Sequence, residues 1–374
     1  MRLVFVTQVL DRQDAVLGFV SRWVEGLAGA AERVRVVALE VGDTSSLPAN
    51  VDWVEIGRRG SIRRFLRYRK ALLGAFKEGF DGVLTHMVPR YSSVAAPYAR
   101  RAGAAHFLWY THKGVDQRLL SALDVVDGAF TASHESLRVD TPKKIVTGHG
   151  IDAAHFEGPR TPSVPGRMRL LSVGRVTPSK DPMTVIEAVD RLRKNGRDVT
   201  LAWAGGALAR GDDEYGSMVS QAIEGRGLAD AVSFVGEVPY PDVPDLYHGA
   251  DLFVNASKTG SVDKVVLEAM AASLPFVSCN ESIPPVIAGT FPDRAVRDQY
   301  AFSAGDSESL AKAIMGWIEA EPAAVARQSS ALSGLVRGEH DVDSLMQRLV
   351  ARMEGQLRGP GQGSPSGAES GVQR

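Results

Sequence analysis

The chain alternates short β-rich runs with segments of helical periodicity along nearly its whole length. The first half carries RLVFVT, RVRVVAL, DGVLTH, AHFLWYT and GAFTAS, and the second half carries RLLSVG, VTLAWAGG, VSFVGE, DLFVNAS and PFVSCN. Strands that alternate with helices predict parallel sheets covered by helices. The alternation therefore places this 374-residue chain in the α/β class.

The alternation is interrupted at 157–167, where EGPRTPSVPGR contains three prolines and two glycines and little that a core would bury. Such a segment predicts an interdomain linker. We expect a first domain over 1–156 and a second over 168–325, since the chain is long enough for two domains of about 100–200 residues. Helices are expected over 326–356. The Gly/Ser/Pro-rich residues 357–374 predict a disordered tail.

Composition argues against several classes of protein. The formal net charge of −1 argues against a nucleic-acid partner, because such proteins usually carry a basic surplus. The one cysteine, Cys279, excludes an internal disulfide and favours a reducing cytoplasm. No apolar run reaches the roughly 18 residues of a membrane span, and Met1 leads directly into a strand without a signal sequence. We therefore expect a cytoplasmic protein.

The stretch 257–275, SKTGSVDKVVLEAMAASLP, places a glycine-containing loop directly before a helix. Gly260, Ser261 and Asp263 suit a loop and an N-cap, and VVLEAMAA is rich in helix formers. Free backbone amides and the positive end of the helix dipole would hold a phosphate there. Glu268, one turn further on, would accept hydrogen bonds from sugar hydroxyls. The alternative is an ordinary turn followed by a solvated acid.

A second turn with charged residues lies upstream. The run LLSV predicts a buried strand that ends at Gly174, and Arg175 and Lys180 follow in the turn. Asp181 and Pro182 suit the N-cap and first position of the next helix. Ligands bind at the carboxyl ends of parallel strands, and two cations there would neutralise a diphosphate. The alternative is an exposed turn with surface cations.

GRVTPSK, followed some ninety residues later by VVLEAMAASLPFV, resembles the donor site of the family 4 glycosyltransferases. LAWAGG, VSFVGEV, DGVLTHM, FLWYTHK, DGAFTASHES and GHGID also occur in that family's order. The resemblance implies the GT-B architecture, in which two Rossmann-like parallel-sheet domains face each other across a cleft. It also implies that a C-terminal helix crosses back to the first domain.

The resemblance implies a retaining glycosyltransferase, which moves a sugar from a nucleotide-diphosphate sugar to a hydroxyl of a carbohydrate or lipid-linked acceptor, as in polysaccharide or glycolipid synthesis. Cations and oriented dipoles would stabilise the leaving diphosphate, so no metal or other cofactor is expected. Two alternatives stay open: a nucleotide-sugar 2-epimerase of the same fold, and a non-catalytic nucleotide-sugar-binding protein. The base, the sugar and the acceptor are also open.

The resemblance assigns roles to particular residues. His112 resembles the family's cleft histidine near the transferred sugar, and with Arg175 and Lys180 it forms the predicted catalytic set. Glu268 would hold the ribose. The predicted donor-binding set is Gly174, Arg175, Lys180, Gly205, Gly206, Gly260, Ser261, Asp263, Lys264, Val265 and Glu268.

The donor helix departs from the family pattern at one important position. The family usually carries a glutamate eight positions before the equivalent of Glu268, where it touches the transferred sugar, and here that position is Gly260. The segment offers Asp263 and Lys264 instead, and either would contact the sugar or a phosphate. Lys264 would equally serve as a surface partner of Glu268 at i+4.

The first domain lacks the family's glycine-rich turn after its first strand and carries only Gly18 there. Gly18 and His86 are the acceptor-side candidates, although His86 equally suits a satisfied histidine at a strand end. His149, in GHGID, is expected to be structural. Metal-ligand spacing is absent for these histidines and for His112, so no metal site is predicted.

The segment from Arg58 to Lys77 carries eight cations and no acid. It predicts a basic amphipathic helix, with apolar residues on one face. By resemblance to family members that use membrane-embedded acceptors, this helix would dock on anionic lipid at the inner face of the cell membrane. The alternative is a core-packed helix with a solvated basic face. The apolar residues are Ile62, Phe65, Leu66, Leu72, Leu73 and Phe76, and the membrane candidates are Arg63, Arg64, Arg67 and Lys70.

Overall fold

A computed structural model describes residues 1–206, 213–258 and 260–357. Within them the first domain contains a seven-stranded parallel sheet in the order β3-β2-β1-β4-β5-β6-β7. Its strands are β1 Arg2–Leu10, β2 Arg33–Val41, β3 Val51–Glu55, β4 Gly82–His86, β5 Ala105–Trp109, β6 Gly128–Thr131 and β7 Lys144–Val146. Its helices are α1 Phe19–Ala30, α2 Ser61–Lys77, α3 Pro89–Ala102 and α4 Gln117–Val125.

The second domain contains a five-stranded parallel sheet, within the described residues, in the order β10-β9-β8-β11-β12. Its strands are β8 Arg167–Val173, β9 Asp198–Ala204, β10 Val232–Gly236, β11 Leu252–Asn255 and β12 Phe276–Ser278. Its helices begin with α5 Ala153–Phe156, α6 Pro182–Lys194, α7 Asp213–Gly225, α8 Val243–His248, α9 Lys264–Ala271, α10 Ile283–Ile287 and α11 Arg294–Asp298. They end with α12 Ser307–Ile318, α13 Pro322–Glu339 and α14 Val342–Leu357.

Each of the ten predicted β-rich runs forms a strand, and the described residues contain two strands that were not predicted. Both additional strands, β3 and β7, lie at edges of the first sheet. They are only partly buried, so their sequences lack the continuous apolar run that marks a strand covered on both faces. The prediction missed them for that reason.

In each sheet the strand order reverses next to the strand that comes first in the chain. The reversal falls between β1 and β4 in the first sheet and between β8 and β11 in the second. Open parallel sheets bind ligands at the carboxyl ends of the strands that flank such a point. The loops after β8 and β11 are therefore brought together, and they are the two loops that the sequence marks as charged and glycine-containing.

Helix α14 returns from the second domain and packs on α1. Its apolar residues are fully buried in the core of the first domain, beside Trp23, Val24 and Leu27 of α1. The arrangement is the predicted one: two parallel-sheet domains with a C-terminal helix that crosses back. The buried residues of α14 include Val342, Leu345, Met346, Leu349 and Met353.

Helix α13 differs from the prediction that the helices over 326–356 return together. Leu332 and Val336 of α13 belong to the second domain's core, and Ser333 donates to the Ala271 carbonyl of α9 at 3.2 Å. Only α14 reaches the first domain. The segment 157–166 carries no helix or strand, but the domain boundaries stay a prediction. Apart from Leu357, the predicted tail lies outside the described residues.

Candidate active site

The loops that follow β8 and β11 are tied together by Lys180. Its ammonium group donates to the hydroxyl of Ser257 and to the carboxylate of Asp263, each at 3.1 Å. The backbone amide of Lys258 donates to the Ser179 carbonyl at 2.9 Å. The two segments that the sequence predicted as one binding site therefore lie side by side.

A cavity of about 220 Å³ opens between the domains at this point. Ala15 and Val16 of the first domain form one wall, and the second domain supplies the rest. Eight of the predicted donor-binding residues line it, whereas Gly260, Ser261 and Asp263 lie in the adjoining loop. The eight are Gly174, Arg175, Lys180, Gly205, Gly206, Lys264, Val265 and Glu268.

A larger cavity, of about 770 Å³, lies at the opposite edge of the second sheet. Arg167, Asp198 and Trp317 are among its lining residues, and the first two mark the amino ends of β8 and β9. Parallel sheets bind their ligands at the carboxyl ends of the strands. We therefore assign the candidate site to the smaller cavity.

Glycine is required where the ends of β8 and β9 meet. Gly205 has a φ of +121°, and a Cβ atom there would lie 2.4 Å from the carbonyl oxygen of Gly174. A Cβ at Gly206 would lie 2.8 Å from the Glu237 side chain. Because only glycine permits this approach of two backbones, a side chain here would displace the loop that carries Arg175.

Glu268 is almost completely buried, with 3% of its surface exposed. Its carboxylate accepts a hydrogen bond from the Tyr247 hydroxyl at 2.9 Å and pairs with Lys264 one turn back along α9. The predicted i+4 partnership therefore exists, but the prediction of a surface pair is wrong. Burial, and then the nearby Glu268 charge, raise the pKa of Tyr247 well above its ordinary value, so the phenol stays protonated and donates.

Lys264 also faces the first domain. Its ammonium group lies 4.2 Å from the centre of the Phe19 ring and 5.2 Å from that of Tyr240. A cation over an aromatic face is attracted by the ring quadrupole. Since Phe19 begins α1 and Lys264 begins α9, this contact joins the starts of two helices across the cleft.

The cations of the cavity differ in their partners. Lys180 pairs with Asp263, and Lys264 pairs with Glu268. Arg175 is exposed, and within the described residues its guanidinium makes no ion pair. Among the described residues, a diphosphate would therefore meet one cation that makes no ion pair and would compete with carboxylates for the two lysines.

His112 lies at the rim of the cleft and does not line the cavity. It is exposed, two residues beyond the buried end of the AHFLWYT run, and its Nδ1 accepts a hydrogen bond from the Gly114 amide at 3.0 Å. The next residue, Lys113, donates to the Lys258 carbonyl across the cleft at 2.9 Å. The histidine thus belongs to the first-domain wall that faces the donor loops, and its catalytic role stays a prediction.

His86 is buried rather than open to the cleft. Burial lowers its pKa to about 4, its Nδ1 lies 3.3 Å from the Thr7 hydroxyl, and the rings of Phe19 and Trp23 pack around it. The enclosed ring favours the alternative reading of a satisfied histidine at a strand end, and the acceptor-side role of His86 stays a prediction. His149 is likewise buried, and burial lowers its pKa to about 3.

Gly18 forms a contact between the domains. A Cβ atom at Gly18 would lie 2.4 Å from the Cβ of Tyr240 and 2.5 Å from the Asp14 carbonyl oxygen. The glycine therefore lets the second domain approach the loop that precedes α1. Gly18 and Tyr240 also line a polar cavity of about 220 Å³ beside this contact, so Gly18 does face a pocket.

Helix α2 has a divided apolar surface. Leu72 of its second half is buried against the first sheet, together with Tyr68, Ala71 and Ala75. Ile62, Phe65 and Leu66 of its first half are 77%, 45% and 53% exposed. The predicted apolar residues share one face of the uninterrupted helix, but only the second half of the helix packs on the sheet. Arg63, Arg67 and Lys70 lie exposed among these apolar residues, and Arg64 is partly buried.

Two other kinds of site are absent from the described residues. No helix in residues 1–206, 213–258 or 260–357 is long and apolar enough to cross a membrane. In the same residues, no three side chains of the His, Cys, Asp and Glu types come together in a group able to hold a metal ion.

Several residues at the site were not found from the sequence. Tyr247 precedes Glu268 by 21 positions and lies on another helix, so no local pattern connects the two. Phe19 and Tyr240, which flank Lys264, come from different domains. Their approach depends on how the domains close on each other, and periodicity carries no information about that.

Comparison with known proteins finds a family match within the second domain. Residues 159–331 match the model of the glycosyl transferases, group 1. The chain is 30% identical to the putative glycosyltransferase YtcC of Bacillus subtilis strain 168 over 112 residues, which cover 30% of this chain and 28% of that protein. It is also 30% identical to the glycogen synthase of Mycobacterium tuberculosis H37Rv over 202 residues, 52% of this chain and 44% of that one.

The chain thus spans less than half the length of these curated relatives. Among solved structures, it is similar to Anabaena Alr3699/HepE in complex with UDP and glucose, with a TM-score of 0.75 and 18% identity over 95% of this chain and 99% of that one. The shared fold is GT-B, which confirms the predicted fold class. The resemblance to glycosyl transferases is confirmed for residues 159–331, whereas family 4 and retention stay predictions.

Proposed function

We propose that the protein is a retaining, metal-independent glycosyltransferase of family 4 that moves a sugar from a nucleotide-diphosphate sugar to a hydroxyl acceptor. One observation carries the proposal. Arg175 and Lys180 of the turn after β8 meet Glu268 of helix α9 in a single cavity at the carboxyl ends of β8 and β11. The two cations suit the diphosphate group of a nucleoside diphosphate, and the buried carboxylate suits the hydroxyls of its ribose.

The diphosphate would lie between the turn after β8 and the start of α9. Arg175 and Lys180 supply positive charge there, and Asp263, the N-cap of α9, makes no capping hydrogen bond to the helix. Backbone amides at a helix start favour an anion. Preorganised donors and cations stabilise the charge that develops on a leaving group, so these groups would assist cleavage of the bond between the anomeric carbon and the diphosphate.

The ribose would bind at Glu268. Its carboxylate is fixed by the Tyr247 hydroxyl, and its other oxygen is held by Lys264. Lys264 would leave this oxygen when a nucleotide enters, and the diphosphate beside the same helix start would offer the ammonium group a new anion. HepE, a protein of the same fold, was solved in complex with UDP and glucose. By analogy, we propose that this cavity binds a nucleotide sugar.

The acceptor would approach from the first domain, on the side that carries His112. A lipid-linked or polysaccharide acceptor at the cytoplasmic face of the membrane suits helix α2, in which Ile62, Phe65 and Leu66 are exposed among basic residues. Apolar side chains surrounded by Lys and Arg favour the surface of an anionic bilayer. The protein would then be peripheral to the membrane.

A screen with nucleotide sugars tests the proposal. Thermal unfolding is measured with UDP-, ADP- and GDP-sugars, because a ligand that binds the folded state raises the midpoint by mass action. The best ligand is then incubated without acceptor, and hydrolysis is measured.

The outcomes distinguish the three candidate functions. Binding with hydrolysis to the same sugar supports the transferase. A sugar inverted at C2 indicates the 2-epimerase, and binding without any turnover, even with acceptors present, indicates a non-catalytic binder. If none of the nucleotide sugars binds, the proposal is overturned.

A further inference from the structure

Two basic residues of the first domain hold the loop that follows β11. Arg138, in the loop after β6, donates through one Nη2 group to the Gly260 carbonyl at 3.2 Å and to the Glu281 carboxylate at 2.8 Å. Lys113 donates to the Lys258 carbonyl at 2.9 Å. The first domain therefore contacts this loop on both sides of position 259.

The backbone conformation of Gly260 and its lack of a side chain permit the contact with Arg138. Its φ is +63°, in the left-handed region that favours glycine. A Cβ atom at this position would lie 2.7 Å from the Arg138 Nη2 and 3.1 Å from the Glu281 carboxylate. The Arg138–Glu281 pair thus occupies the space where any side chain of residue 260 would begin, so the left-handed conformation favours glycine and a side chain there would displace the guanidinium.

The contact reaches the donor-binding turn within a few residues. The carbonyl of Ser261 accepts a hydrogen bond from the side-chain amide of Asn280 at 2.7 Å, and Asp263, at the N-cap position of α9, pairs with Lys180. Arg138 therefore holds one end of a turn whose other end contacts the cavity. Its guanidinium comes from the opposite domain, so it holds the turn only while the cleft is closed.

We propose that Arg138 is a positioning residue, which fixes the turn from Gly260 to Asp263 when the domains close and so couples closure of the cleft to the geometry of the donor site. The Arg138–Glu281 pair adds little to the stability of the fold. Its side chains are 45% and 69% exposed, and exposed ion pairs contribute little to the free energy of unfolding. The catalytic consequence rests on the proposed function, whereas the closure itself does not.

The first test measures closure without any substrate. Arg101→Cys in the first domain and Arg294→Cys in the second, both at exposed positions, are introduced in a Cys279→Ser background. The two introduced thiols are spin-labelled, and the distance distribution is measured by pulsed EPR. We expect Arg138→Gln to shift the distribution from the closed separation and to broaden it, and Arg138→Lys to restore most of it. The control is Arg193→Gln, because the Arg193–Asp230 pair lies within the second domain. A wild-type distribution in Arg138→Gln overturns the inference.

The second test separates positioning from nucleotide affinity. With the nucleotide sugar that the wild type turns over, Arg138→Gln should lower kcat about two- to fivefold, the range of an exposed ion pair, and leave the Kd of the free nucleoside diphosphate within about twofold. Gly260→Glu, which supplies the glutamate usual in family 4, should lower kcat in the same way, because its side chain displaces Arg138. A gain in turnover for Gly260→Glu overturns the inference. A wild type that binds no nucleotide overturns the proposed function, and the distance measurement still decides the role of Arg138.

Discussion

Lys264 holds the carboxylate of Glu268 inside the cavity where Arg175 and Lys180 also lie. Glu268 is buried and Lys264 is half-buried, so their charges compensate each other where an unpaired charge is costly. Under the proposed function, a nucleotide whose ribose binds Glu268 would also have to provide an anion for Lys264, and its own diphosphate would do so. Phe19 and Tyr240, whose rings flank the ammonium group, would keep that group at the cavity during the exchange.

The diphosphate clamp predicts a loss of turnover without a loss of folding. We expect Arg175→Ala and Lys180→Ala each to lower kcat/KM by about 10²-fold, as the removal of one preorganised charge stabiliser does. Steady-state kinetics and thermal unfolding provide the measurement. Arg167→Ala is the matched control, because Arg167 begins the same strand and pairs with Asp198 at the far edge of the sheet. Near-wild-type turnover in both folded variants would show that the cavity is not the donor site.

Glu268 predicts a loss of nucleotide affinity. A buried hydrogen bond between a sugar hydroxyl and a carboxylate contributes about 1.5–3 kcal/mol, so Glu268→Ala should weaken binding of the nucleoside diphosphate about ten- to a hundredfold. Calorimetry measures the Kd directly. Glu268→Gln is the companion variant, since it keeps the volume and removes the charge that pairs with Lys264. If both variants bind the nucleotide like the wild type, Glu268 serves only to fix Tyr247 and Lys264.

Helix α2 predicts binding to anionic membranes that weakens with salt. Each cation near the surface contributes about 1 kcal/mol, and this attraction falls as the Debye length shrinks. Replacing Arg63, Arg64, Arg67 and Lys70 with Ser should abolish flotation with phosphatidylglycerol vesicles and leave turnover of a soluble acceptor analogue unchanged. Neutral vesicles are the control. If the wild type does not float with anionic vesicles at low salt, the basic surface of α2 is only a solvated surface and does not bind the membrane.

Buried histidines predict a loss of stability on mild acidification. Burial lowers the pKa of His86, His106 and His340 to about 4 and that of His149 to about 3, well below the value of about 6.5 in an unfolded chain. Between these pH values the unfolded state binds more protons, so the free energy of unfolding decreases as pH falls from about 6.5 towards 4. The stability is fully present above pH 6.5.

His106 offers the sharpest test of this dependence, because both of its ring nitrogens are buried without a hydrogen-bond partner in the described structure. His106→Leu should reduce the slope of the unfolding free energy between pH 6 and 5 by about one proton, or about 1.4 kcal/mol per pH unit. Urea unfolding at each pH measures the slope. His112→Leu, at an exposed position, is the control and should leave it unchanged. An equal slope in His106→Leu and the wild type contradicts the assignment.

Local patterns predicted the parts of the fold that are buried on both sides. Strand β11 and the second half of β8 are buried and largely apolar, and Pro182 begins α6 at the expected residue, because covered strands and helix starts leave strong local signals. The parts of the site that depend on two domains were not predictable in this way. The sequence showed that Gly260 replaces a glutamate, but only the structure shows that Arg138, 122 positions earlier, uses the space.

Burial also stayed open where tertiary contacts decide it. The sequence left open whether Lys264 contacts the donor or forms a surface pair with Glu268, because charged residues on a helix are usually solvated. In the structure the rings of Phe19 and Tyr240, from other elements, lie against its ammonium group. His86 ends a strand at the edge where ligands bind, and the sequence alone left its exposure open. The ring of Trp23, on α1, packs against it and closes that path.

The position of α14 affects how the chain reaches its folded state. The surface of α1 that contains Trp23, Val24 and Leu27 is covered by a helix more than 300 residues later in the chain. During synthesis on the ribosome, this apolar surface stays uncovered until the entire second domain has been translated. A fragment that ends at residue 156 would expose the same surface permanently and should aggregate or recruit chaperones, and adding the α14 peptide in trans should rescue it.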